Sequence, residues 1–356
     1  MMLIFKNSDE IKFHNDDIFL HFTGNIFGIG CSISSENAIN KIIDLKQRDA
    51  NKGFILLFSS MEQLEKYNFA LIKNKRINNL LFQYLPGNLT TLFYTEDTRF
   101  TKISQNKKVA ARIPASKVLR DFIDKIGHPI VSSSINISGE TNVTDIEVIL
   151  KNYETWFDYG LYDENEKQYL PLPSTVLDII ENENAELQLK CLREGSVPFS
   201  EIKESFHKPL IQFVCVGNIC RSPIAEYYMS ILLFQENLPF RVGSSGLLER
   251  RQLISEDTRN VLMKNGISPI QRVSIPIDEN IVRNSFLLIC MSIDVKKHLI
   301  QRFPDAAHKV FTFAEFTNNT ADIEDPFGLD FDHFEKAFEM IKKYSDDLIK
   351  KLKDNY

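Results

Sequence analysis

The sequence lacks long apolar runs, closely spaced cysteines and an excess of charge of one sign. Its longest apolar stretches, such as 54–58 and 286–291, are far shorter than the roughly 18 residues that a membrane span needs. Five scattered cysteines exclude a disulfide framework and are typical of thiols in a reducing compartment. The N-terminus has no basic-then-apolar signal pattern. We therefore expect a cytoplasmic protein with no membrane partner.

The overall composition is that of an ordinary globular protein. Hydrophobic residues make up 43% of the chain and charged residues 25%, which excludes disordered, collagen-like and coiled-coil classes. Forty-two Lys and Arg against 48 Asp and Glu give a net charge of −6, which excludes a globally basic surface for non-specific binding of nucleic acid. A local basic patch remains compatible with this balance.

A length of 356 residues predicts two domains, at about 100–200 residues each. The best boundary is the polar stretch 201–209, so we expect domains at 1–203 and 209–356, joined by a short connector. In the first, short apolar strands mix with helical periodicity, which indicates an α/β or α+β domain. In the second, strands alternate with helices, which indicates a doubly wound parallel sheet. The predicted strands are 18–22, 54–58, 91–94, 129–132, 175–180, 187–193, 210–216, 286–291 and 310–313.

The strongest motif is the segment VCVGNICRSP at 214–223, which connects a predicted strand to a predicted helix. Its Gly-Asn pair tolerates the unusual backbone angles of a loop whose amides converge on one anion. Ser222 and Pro223 suit the N-cap and first turn of the helix, whose positive end favours a phosphate and also the thiolate of Cys215. The pattern predicts a cysteine nucleophile in a phosphate-binding loop.

A cation and an acid complete this predicted site. Arg221 lies six positions after Cys215, so its guanidinium can return to hold two phosphate oxygens. Asp325 precedes a proline that biases it towards an extended conformation, and it is the candidate acid that protonates the leaving oxygen. Two rival acids share the same loop-like run, Glu324 and Asp322.

These residues closely resemble the low-molecular-weight protein-tyrosine phosphatases. The segments CVGNICRSPIAE at 215–226 and DPFG at 325–328 carry the resemblance, which runs from about residue 209 to the C-terminus. It implies that Cys215 forms a phosphocysteine, that Arg221 binds the phosphate, and that Asp325 acts as general acid and then as base. The implied substrate is a tyrosine-phosphorylated protein, and no cofactor or metal is required.

The same resemblance implies supporting roles within the loop. Asn218 would shape the loop, and Ser222 would support the thiolate and donate to the departing sulfur. Cys220 would trap an oxidised Cys215 as a reversible disulfide, although packing within the loop also explains it. Two related activities are disfavoured. Related protein-arginine phosphatases carry Thr where this chain has Ile219, and arsenate reductases need a second resolving cysteine near Cys290.

In the N-terminal half, cations and hydroxyls stand at loop positions. This combination suits a nucleoside triphosphate, since Lys and Arg neutralise phosphates and Ser and Asn bind base or sugar. A solvated charge run with Ser-rich turns explains the same residues without any ligand. Neither common nucleotide-binding fingerprint, Gly-x4-Gly-Lys-Ser nor Gly-x-Gly-x-x-Gly, is present. The residues concerned are Lys46, Arg48, Lys52, 133–139, Ser174 and Arg193.

The order of five segments in this half resembles the YrdC-like threonylcarbamoyl-adenylate synthases, in their short bacterial form. The match spans about 4–197 and implies a twisted α/β sheet with a concave, positively charged cavity. The implied reaction joins L-threonine, bicarbonate and ATP, with Mg²⁺ accompanying the ATP. Its product serves modification of tRNA, so tRNA or tRNA-modification proteins are expected partners. The segments are TGNIFGIGC at 23–31, DLKQRDANKG at 44–53, LPGNLT at 85–90, RIP at 112–114 and SINISG at 134–139.

Carried over by position, the resemblance assigns roles to eight residues. A tetrad would bind the nucleotide and a carboxylate, Thr23 would contact threonine, Lys52 and Arg193 the phosphates, and Ser174 the substrate region. The tetrad consists of Lys46, Arg48, Ser134 and Asn136.

Departures from the family pattern leave a second interpretation open. Phe22 and Ile135 are bulkier than the family's residues, Gly24 replaces an acid, and Asn88 replaces a proline. The bulk is expected to crowd the pocket, so threonine itself remains to be tested as the substrate. In the alternative, an active phosphatase is joined to a non-catalytic module that binds nucleotide or RNA through local cations. These cations are Lys73, Lys75, Arg76, Lys107 and Lys108.

Overall fold

A computed structural model describes residues 3–47, 53–137, 141–166, 168–169, 171–182 and 186–355. The chain separates into two compact units, 1–200 and 201–356. The first is built on a large mixed sheet and the second on a parallel sheet, each with helices packed on it. The expected α/β class is confirmed for both.

The first unit contains a ten-stranded sheet among its described residues. The spatial order is β1-β8-β2-β3-β7-β4-β6-β5-β9-β10, and parallel and antiparallel pairs are interspersed. All six strands predicted for this unit are present, four of them with shifted ends. The strands are β1 Ile4–Phe5, β2 Ile18–Phe22, β3 Phe27–Ser32, β4 Ile55–Leu57, β5 Leu89–Tyr94, β6 Lys108–Arg112, β7 Ile130–Ser134, β8 Tyr159–Leu161, β9 Thr175–Glu181 and β10 Leu187–Arg193.

Five helices accompany these strands in the described part of the first unit. They are α1 Glu36–Leu45, α2 Met61–Glu65, α3 Lys75–Tyr84, α4 Lys117–Ile126 and α5 Ile146–Tyr153. Helix α4 shows why they form: the Ser116 hydroxyl caps its N-terminus by accepting from the Leu119 amide at 3.1 Å, and Gly127 ends it in the left-handed conformation. Its apolar face, including Phe122, packs on Phe19 of the sheet.

Strand β3 was not predicted, because two glycines interrupt its apolar pattern. The buried imidazole of His21 lies over both of them. A Cβ on Gly28 would stand 2.9 Å from the ring Cε1, and a Cβ on Gly30 would stand 3.1 Å from Cδ2. Backbone carbonyls of β7 stand equally close, with Ser133 O 2.7 Å from a Cβ on Gly28 and Val131 O 3.0 Å from one on Gly30, so both positions require glycine.

The second unit contains a four-stranded, fully parallel sheet in the order β12-β11-β13-β14. Strand β11 lies inside the sheet, and five of its six residues are buried, as is typical of a parallel strand covered on both faces. It leads into a loop and then into helix α7. The strands are β11 Leu210–Cys215, β12 Arg241–Gly246, β13 Ser285–Cys290 and β14 Val310–Thr312.

The helices of this unit include a long C-terminal helix that was predicted from its apolar periodicity. Its buried residues Phe334, Phe338, Ile341, Leu348 and Leu352 form one stripe, and the helix packs on α7. The helices are α6 Phe199–His207, α7 Arg221–Gln235, α8 Glu256–Lys264, α9 Glu279–Asn284, α10 Ile293–Arg302, α11 Phe313–Phe316 and α12 Phe331–Asn355. None of the helices in the described ranges is long and apolar enough to cross a membrane.

The polar stretch 201–209, interpreted from sequence as a connector, is mostly helical. It forms the larger part of α6, and Ile202 and Phe206 are buried on one face of that helix. Glu201 pairs with Arg283 of α9 at 3.2 Å. Two apolar residues spaced four apart among polar ones give a helix with a narrow buried stripe. The mostly polar composition of this segment led to the prediction of a linker.

A buried lysine directly precedes strand β14. Lys309 is 3% exposed, and its ammonium donates to the backbone carbonyl of Ser285 at 2.9 Å and to that of Arg283 at 3.4 Å. Burial, together with the nearby charge of Arg283, lowers the pKa of Lys309 from 10.5 to about 7.

This depressed pKa predicts a pH-dependent stability. Between about pH 7 and pH 10 the unfolded chain holds a proton on Lys309 that the folded chain has lost, so stability should rise with pH there, by at most about 1.4 kcal/mol per unit. Lys309→Met should remove this rise. Urea unfolding at several pH values, monitored by the alkylation of the buried Cys290, measures the free energy of unfolding of the two proteins. A difference independent of pH would contradict the prediction.

Candidate active sites

The thiol of Cys215 lies at the C-terminal end of β11, at the entrance to the predicted phosphate-binding loop. The thiol is buried, and its Sγ accepts hydrogen bonds from the Asn218 amide at 3.2 Å and from the Ser222 hydroxyl at 3.0 Å. Two hydrogen-bond donors are therefore directed at this one sulfur. The loop thus supplies what a cysteine nucleophile requires.

Asn218 holds the loop in shape. Its backbone adopts the left-handed conformation with φ of 54°, which asparagine tolerates better than most residues. Its side-chain amide donates to Ser222 at 3.0 Å and to Ser244 at 2.7 Å, while its Oδ1 accepts from the Ile275 amide at 2.8 Å. Every polar atom of this buried side chain is therefore used, and the loop is fixed to two neighbouring segments.

Helix α7 begins at Arg221, one residue earlier than the sequence predicts. Cys220 occupies the N-cap position without a side-chain cap, and Ser222 and Pro223 both lie inside the first turn. The predicted capping role of Ser222 is therefore wrong, because its hydroxyl donates to Cys215 instead. The positive end of a 15-residue helix still begins in the loop.

Arg221 and Asp325 are in contact. The guanidinium of Arg221 is 4% exposed, and it donates to the Ile323 carbonyl at 3.0 Å and pairs with the Asp325 carboxylate. The rival acids are placed differently. Asp322 accepts from the Ile293 amide at 2.8 Å, and Glu324 lines a separate groove beside α12. Of the three acids, Asp325 is the one in contact with the arginine of the loop.

An ion pair behind the loop was missed by the sequence reasoning. Arg272 pairs with Glu226 of α7, and both contact the hydroxyl of Ser244, at 2.6 and 2.5 Å respectively. Ser244 in turn accepts from Asn218. Burial raises the pKa of Glu226 above its usual value. Glu226 lies in the recognised segment, but no local pattern links it to an arginine 46 residues later.

The remaining cysteines of this unit are buried. Burial raises the pKa of Cys220 to about 11, and its Sγ lies 3.6 Å from the Ser255 hydroxyl. Cys290 lies on β13 beside Val214 and packs in an apolar cluster. Burial raises its pKa as well. Cys290 therefore has the surroundings of a core residue, as expected.

In the first unit, a cavity of about 130 Å³ collects four of the predicted binding residues: Thr23, Ser134, Ser174 and Arg193. Four further polar residues line it without having been singled out: His21, Arg112, Ser132 and Asn142. Burial, with Arg112 nearby, lowers the pKa of His21 to about 3, so this imidazole is neutral. Its Nε2 lies 3.0 Å from the Ser132 hydroxyl.

Lys46, Ser134 and Asn136 form one buried cluster. The Lys46 ammonium is 2% exposed, and it donates to the carbonyl of Ser134 and to two oxygens of Asn136, the carbonyl at 2.6 Å and Oδ1 at 3.2 Å. The Ser134 hydroxyl donates to the same Oδ1 at 2.5 Å. The structure thus brings together three members of the predicted tetrad. Arg48, the fourth, and Lys52 lie outside the described residues.

Thr23 belongs to a second network that includes Arg112. The Thr23 hydroxyl donates to Asn25 Oδ1 at 2.8 Å, and the same oxygen accepts from Arg112 at 2.9 Å. Ser174, which also lines the cavity, has its hydroxyl 2.8 Å from that of Thr90, and its carbonyl accepts from Arg193 at 3.0 Å. Asn25 and Arg112 lie within the recognised segments, but nothing in their spacing predicts that they meet.

The expected crowding of the cavity by bulky residues is wrong. Phe22 packs instead against the rings of Phe27 and Tyr162, at 4.9 and 5.5 Å between centroids, and Ile135 is fully buried away from the lining. Gly24 has φ of +101°, and a Cβ there would stand 2.8 Å from that of Ala115, so backbone conformation accounts for this glycine.

The two sites offer different chemical groups to a ligand. The lining of the first cavity offers the cations of Arg112 and Arg193 and several hydroxyls, a set suited to anions. In the described ranges, no three His, Cys, Asp or Glu side chains converge as metal ligands would. The second site offers a nucleophile, a cation and a carboxylate around one loop.

Comparison with known families finds one match in each half of the chain. Residues 14–195 match the family of Sua5, YciO and YrdC, described as telomere recombination. Residues 210–356 match the low molecular weight phosphotyrosine protein phosphatases.

Named relatives agree with the first match. A threonylcarbamoyl-AMP synthase of Buchnera aphidicola is 31% identical over 172 residues, which cover 47% of this chain and 94% of the relative. One of Psychromonas ingrahamii is 35% identical over 144 residues, covering 39% and 75%.

Solved structures align with the second half. A YwlE mutant from Bacillus subtilis is 28% identical, covers 41% of this chain and 99% of its own, and has a TM-score of 0.40. A low molecular weight protein tyrosine phosphatase from T. tengcongensis is 29% identical, covers 40% and 99%, and has a TM-score of 0.39.

The hydrogen bond from Ser222 to Cys215 predicts a change in thiol reactivity. Ser222→Ala removes a donor to the thiolate, and a charge-assisted hydrogen bond is worth about 1.5–3 kcal/mol, so alkylation of Cys215 by iodoacetamide at pH 7 should slow about tenfold or more. Mass spectrometry of the Cys215 peptide measures the rate. Ser230→Ala, an exposed position on the same helix, is the control. Equal rates in both variants would contradict the prediction.

Proposed function

The chain belongs to the Sua5, YciO and YrdC family and carries a low molecular weight phosphotyrosine protein phosphatase domain in its C-terminal half, and on this basis we propose an enzyme with two activities. The C-terminal half hydrolyses aryl phosphates on proteins through a phosphocysteine. The N-terminal half makes threonylcarbamoyl-AMP. The proposed phosphatase rests on the two hydrogen-bond donors that contact the Cys215 sulfur. The proposed synthase rests on the buried cluster of Lys46, Ser134 and Asn136.

Hydrolysis proceeds in two steps. The thiolate of Cys215 attacks phosphorus, the bond to the leaving oxygen breaks, and Asp325 donates a proton to that oxygen. Asp325 then takes a proton from water, which attacks phosphorus and releases phosphate and the thiolate. Arg221 and the loop amides neutralise charge on the three non-bridging oxygens throughout. Ser222 stabilises the sulfur as it departs in the second step.

Apolar side chains on the segments around the loop support an aryl substrate. Val216 lies within the loop and is 39% exposed, Leu248 donates through its backbone to the Val216 carbonyl, and Phe327 follows the acid and is 64% exposed. A flat aromatic leaving group would cover such surfaces and remove them from water. The half-buried Ile219 adds a further apolar surface within the loop.

The role of Asp325 gives a leaving-group test. Asp325→Asn should slow hydrolysis of a phosphotyrosine peptide by about 10²–10⁴-fold, the usual contribution of a positioned acid. Hydrolysis of p-nitrophenyl phosphate should be slowed much less, because its leaving oxygen needs little protonation. Steady-state kinetics on both substrates measure the ratio.

Glu324→Gln is the matched control, one residue earlier and facing a different groove. It should leave both rates within about twofold of the unmodified enzyme. The assignment of the acid would be wrong if Glu324→Gln reproduced the leaving-group dependence. Turnover of a phosphoarginine peptide as fast as that of the phosphotyrosine peptide would contradict the aryl preference.

The N-terminal reaction joins threonine, bicarbonate and ATP into threonylcarbamoyl-AMP, releasing pyrophosphate and water. The family membership supports it, and so does a cavity lined with cations and hydroxyls. Lys46, Arg48 and Lys52 would serve the triphosphate, which Mg²⁺ accompanies as part of the substrate. The product would supply tRNA modification, which makes tRNA or tRNA-modification proteins the expected partners.

The alternative, a non-catalytic module that binds RNA through surface cations, has less support. Two of the cations on which it depends are engaged in ion pairs: Lys107 with Glu96 at 3.6 Å and Lys108 with Asp178 at 2.6 Å. Their charge is therefore partly neutralised locally. The cluster around the buried Lys46, by contrast, lies beside the cavity rather than on a solvated face.

Pyrophosphate release separates these two functions. The full-length protein should release pyrophosphate from ATP only when both threonine and bicarbonate are present. Ser134→Ala should lower kcat/KM about tenfold or more, because its hydroxyl lines the cavity and bonds Asn136. Ser104→Ala, in a turn outside the cavity lining, is the control. Nucleotide binding without turnover, across a panel of amino acids, would refute the synthase and leave the binding module.

A further inference from the structure

Two carbonyls at the start of the loop between β11 and α7 are hydrogen-bonded to a segment outside the loop. The Cys215 carbonyl accepts from the Leu247 amide and the Val216 carbonyl accepts from the Leu248 amide, both at 3.1 Å. Both amides directly follow strand β12. A trans peptide group is planar, and its carbonyl and its amide point in opposite directions. Each of these carbonyls therefore directs the amide of its own peptide group away from the outside segment.

The Ile219 carbonyl, further along the same loop, is held from the N-terminus of helix α8. It accepts from the Ser255 amide at 3.0 Å and from the Thr258 hydroxyl at 2.9 Å. The amide of the same peptide group belongs to Cys220, which is 2% exposed, and in the described part of the chain this amide donates to no acceptor. A buried amide without a partner is costly, so this N–H is available to an anion bound in the loop.

The direction of each hydrogen bond around Thr258 follows from the number of protons available. A carbonyl only accepts, so Thr258 gives its one hydroxyl proton to Ile219. The Ser255 hydroxyl, 2.8 Å from Thr258 Oγ1, then donates to that oxygen. The thiol of Cys220, 3.6 Å from Ser255 Oγ, is left as the donor to Ser255. These bonds hold both ends of the peptide group between Ile219 and Cys220, and Thr258 itself is fully buried.

We propose that Thr258 is a positioning residue of the phosphatase: its hydroxyl fixes the peptide group between Ile219 and Cys220 so that the Cys220 amide faces the bound phosphate. This inference rests on the proposed phosphatase function. Of the four groups that hold the three carbonyls, three are backbone amides, which any residue except proline supplies. The Thr258 hydroxyl is the fourth and belongs to a side chain. The identity of residue 258 therefore decides how firmly this amide is held.

Thr258→Val in the full-length protein tests this role, because valine keeps the shape of the side chain and removes the hydroxyl. Inorganic phosphate is the probe, and its binding is measured by the protection of Cys215 against iodoacetamide. The phosphate concentration that halves the alkylation rate should rise about tenfold, and kcat/KM for p-nitrophenyl phosphate should fall by a similar factor. Thr258→Ser keeps the donor and should bring both values to within about threefold of the unmodified protein.

Thr317→Val is the matched control in the same unit. The Thr317 hydroxyl is also buried and donates to a backbone carbonyl, that of Phe313 at 2.6 Å, but it lies at the C-terminal end of α11. Both valine variants should lose stability in thermal melting, whereas only Thr258→Val should lose affinity for phosphate. If melting shows that Thr258→Val is unfolded, Thr258→Ala, which has no branched side chain to fit, is measured in its place with the same expected result.

The outcomes separate this inference from the proposed phosphatase function. A folded variant without the Thr258 hydroxyl that binds phosphate as the unmodified protein does would overturn the positioning role and leave the phosphatase standing. A loss of affinity that Thr258→Ser does not restore, or an equal loss in Thr317→Val, would have the same consequence. An unmodified protein that hydrolyses no aryl phosphate, and whose Cys215 phosphate does not protect, would overturn the phosphatase function and this inference with it.

Discussion

The side chain of Asn218 holds the reactive loop of the C-terminal unit together. Through one amide it joins the loop to Ser222 and Ser244, and through one oxygen it takes the Ile275 amide from a distant segment. Its own backbone amide reaches the sulfur of Cys215. Three of these bonds are buried and the one from Ile275 is partly buried, so breaking a buried one leaves an unsatisfied polar group, and the geometry of the nucleophile depends on this constraint.

The two units treat buried cations in opposite ways. Arg221 contacts the carboxylate of Asp325, so the cation of the phosphatase loop has a counter-ion within the protein. Arg112 is held by carbonyl and amide oxygens, which satisfy its hydrogen bonds, and it forms no ion pair with an Asp or Glu of the described residues. An uncompensated buried cation attracts an anion strongly because little solvent screens it. Under the proposed functions, the first site uses an acid in its chemistry and the second binds anionic substrates.

Local patterns in the sequence were sufficient for the strand, loop and helix around Cys215 and for the apolar stripe of α12, because each depends on residues close in sequence. The start of α7 was misplaced since Ser222 has a partner seven residues away that outcompetes capping. Strand β3 was not predicted, because its two glycines are required by close contacts with other strands, including the His21 ring of β2. The pairs Glu226–Arg272 and Asn25–Arg112 join residues 46 and 87 apart, and no single-sequence pattern specifies such contacts.

The helical character of α6 affects how the two activities can be studied apart. A phosphatase fragment started at residue 209, as the polar stretch suggests, would lose the apolar side chains of Ile202 and Phe206 and the partner of Arg283. Such a fragment would lack these buried side chains and this ion pair, and low stability or weak activity would then reflect the cut rather than the enzyme. A fragment that begins before Phe199 keeps the helix whole. The first residue of the fragment therefore decides whether an activity measured on the isolated half reflects the chemistry of the enzyme or the effect of truncation.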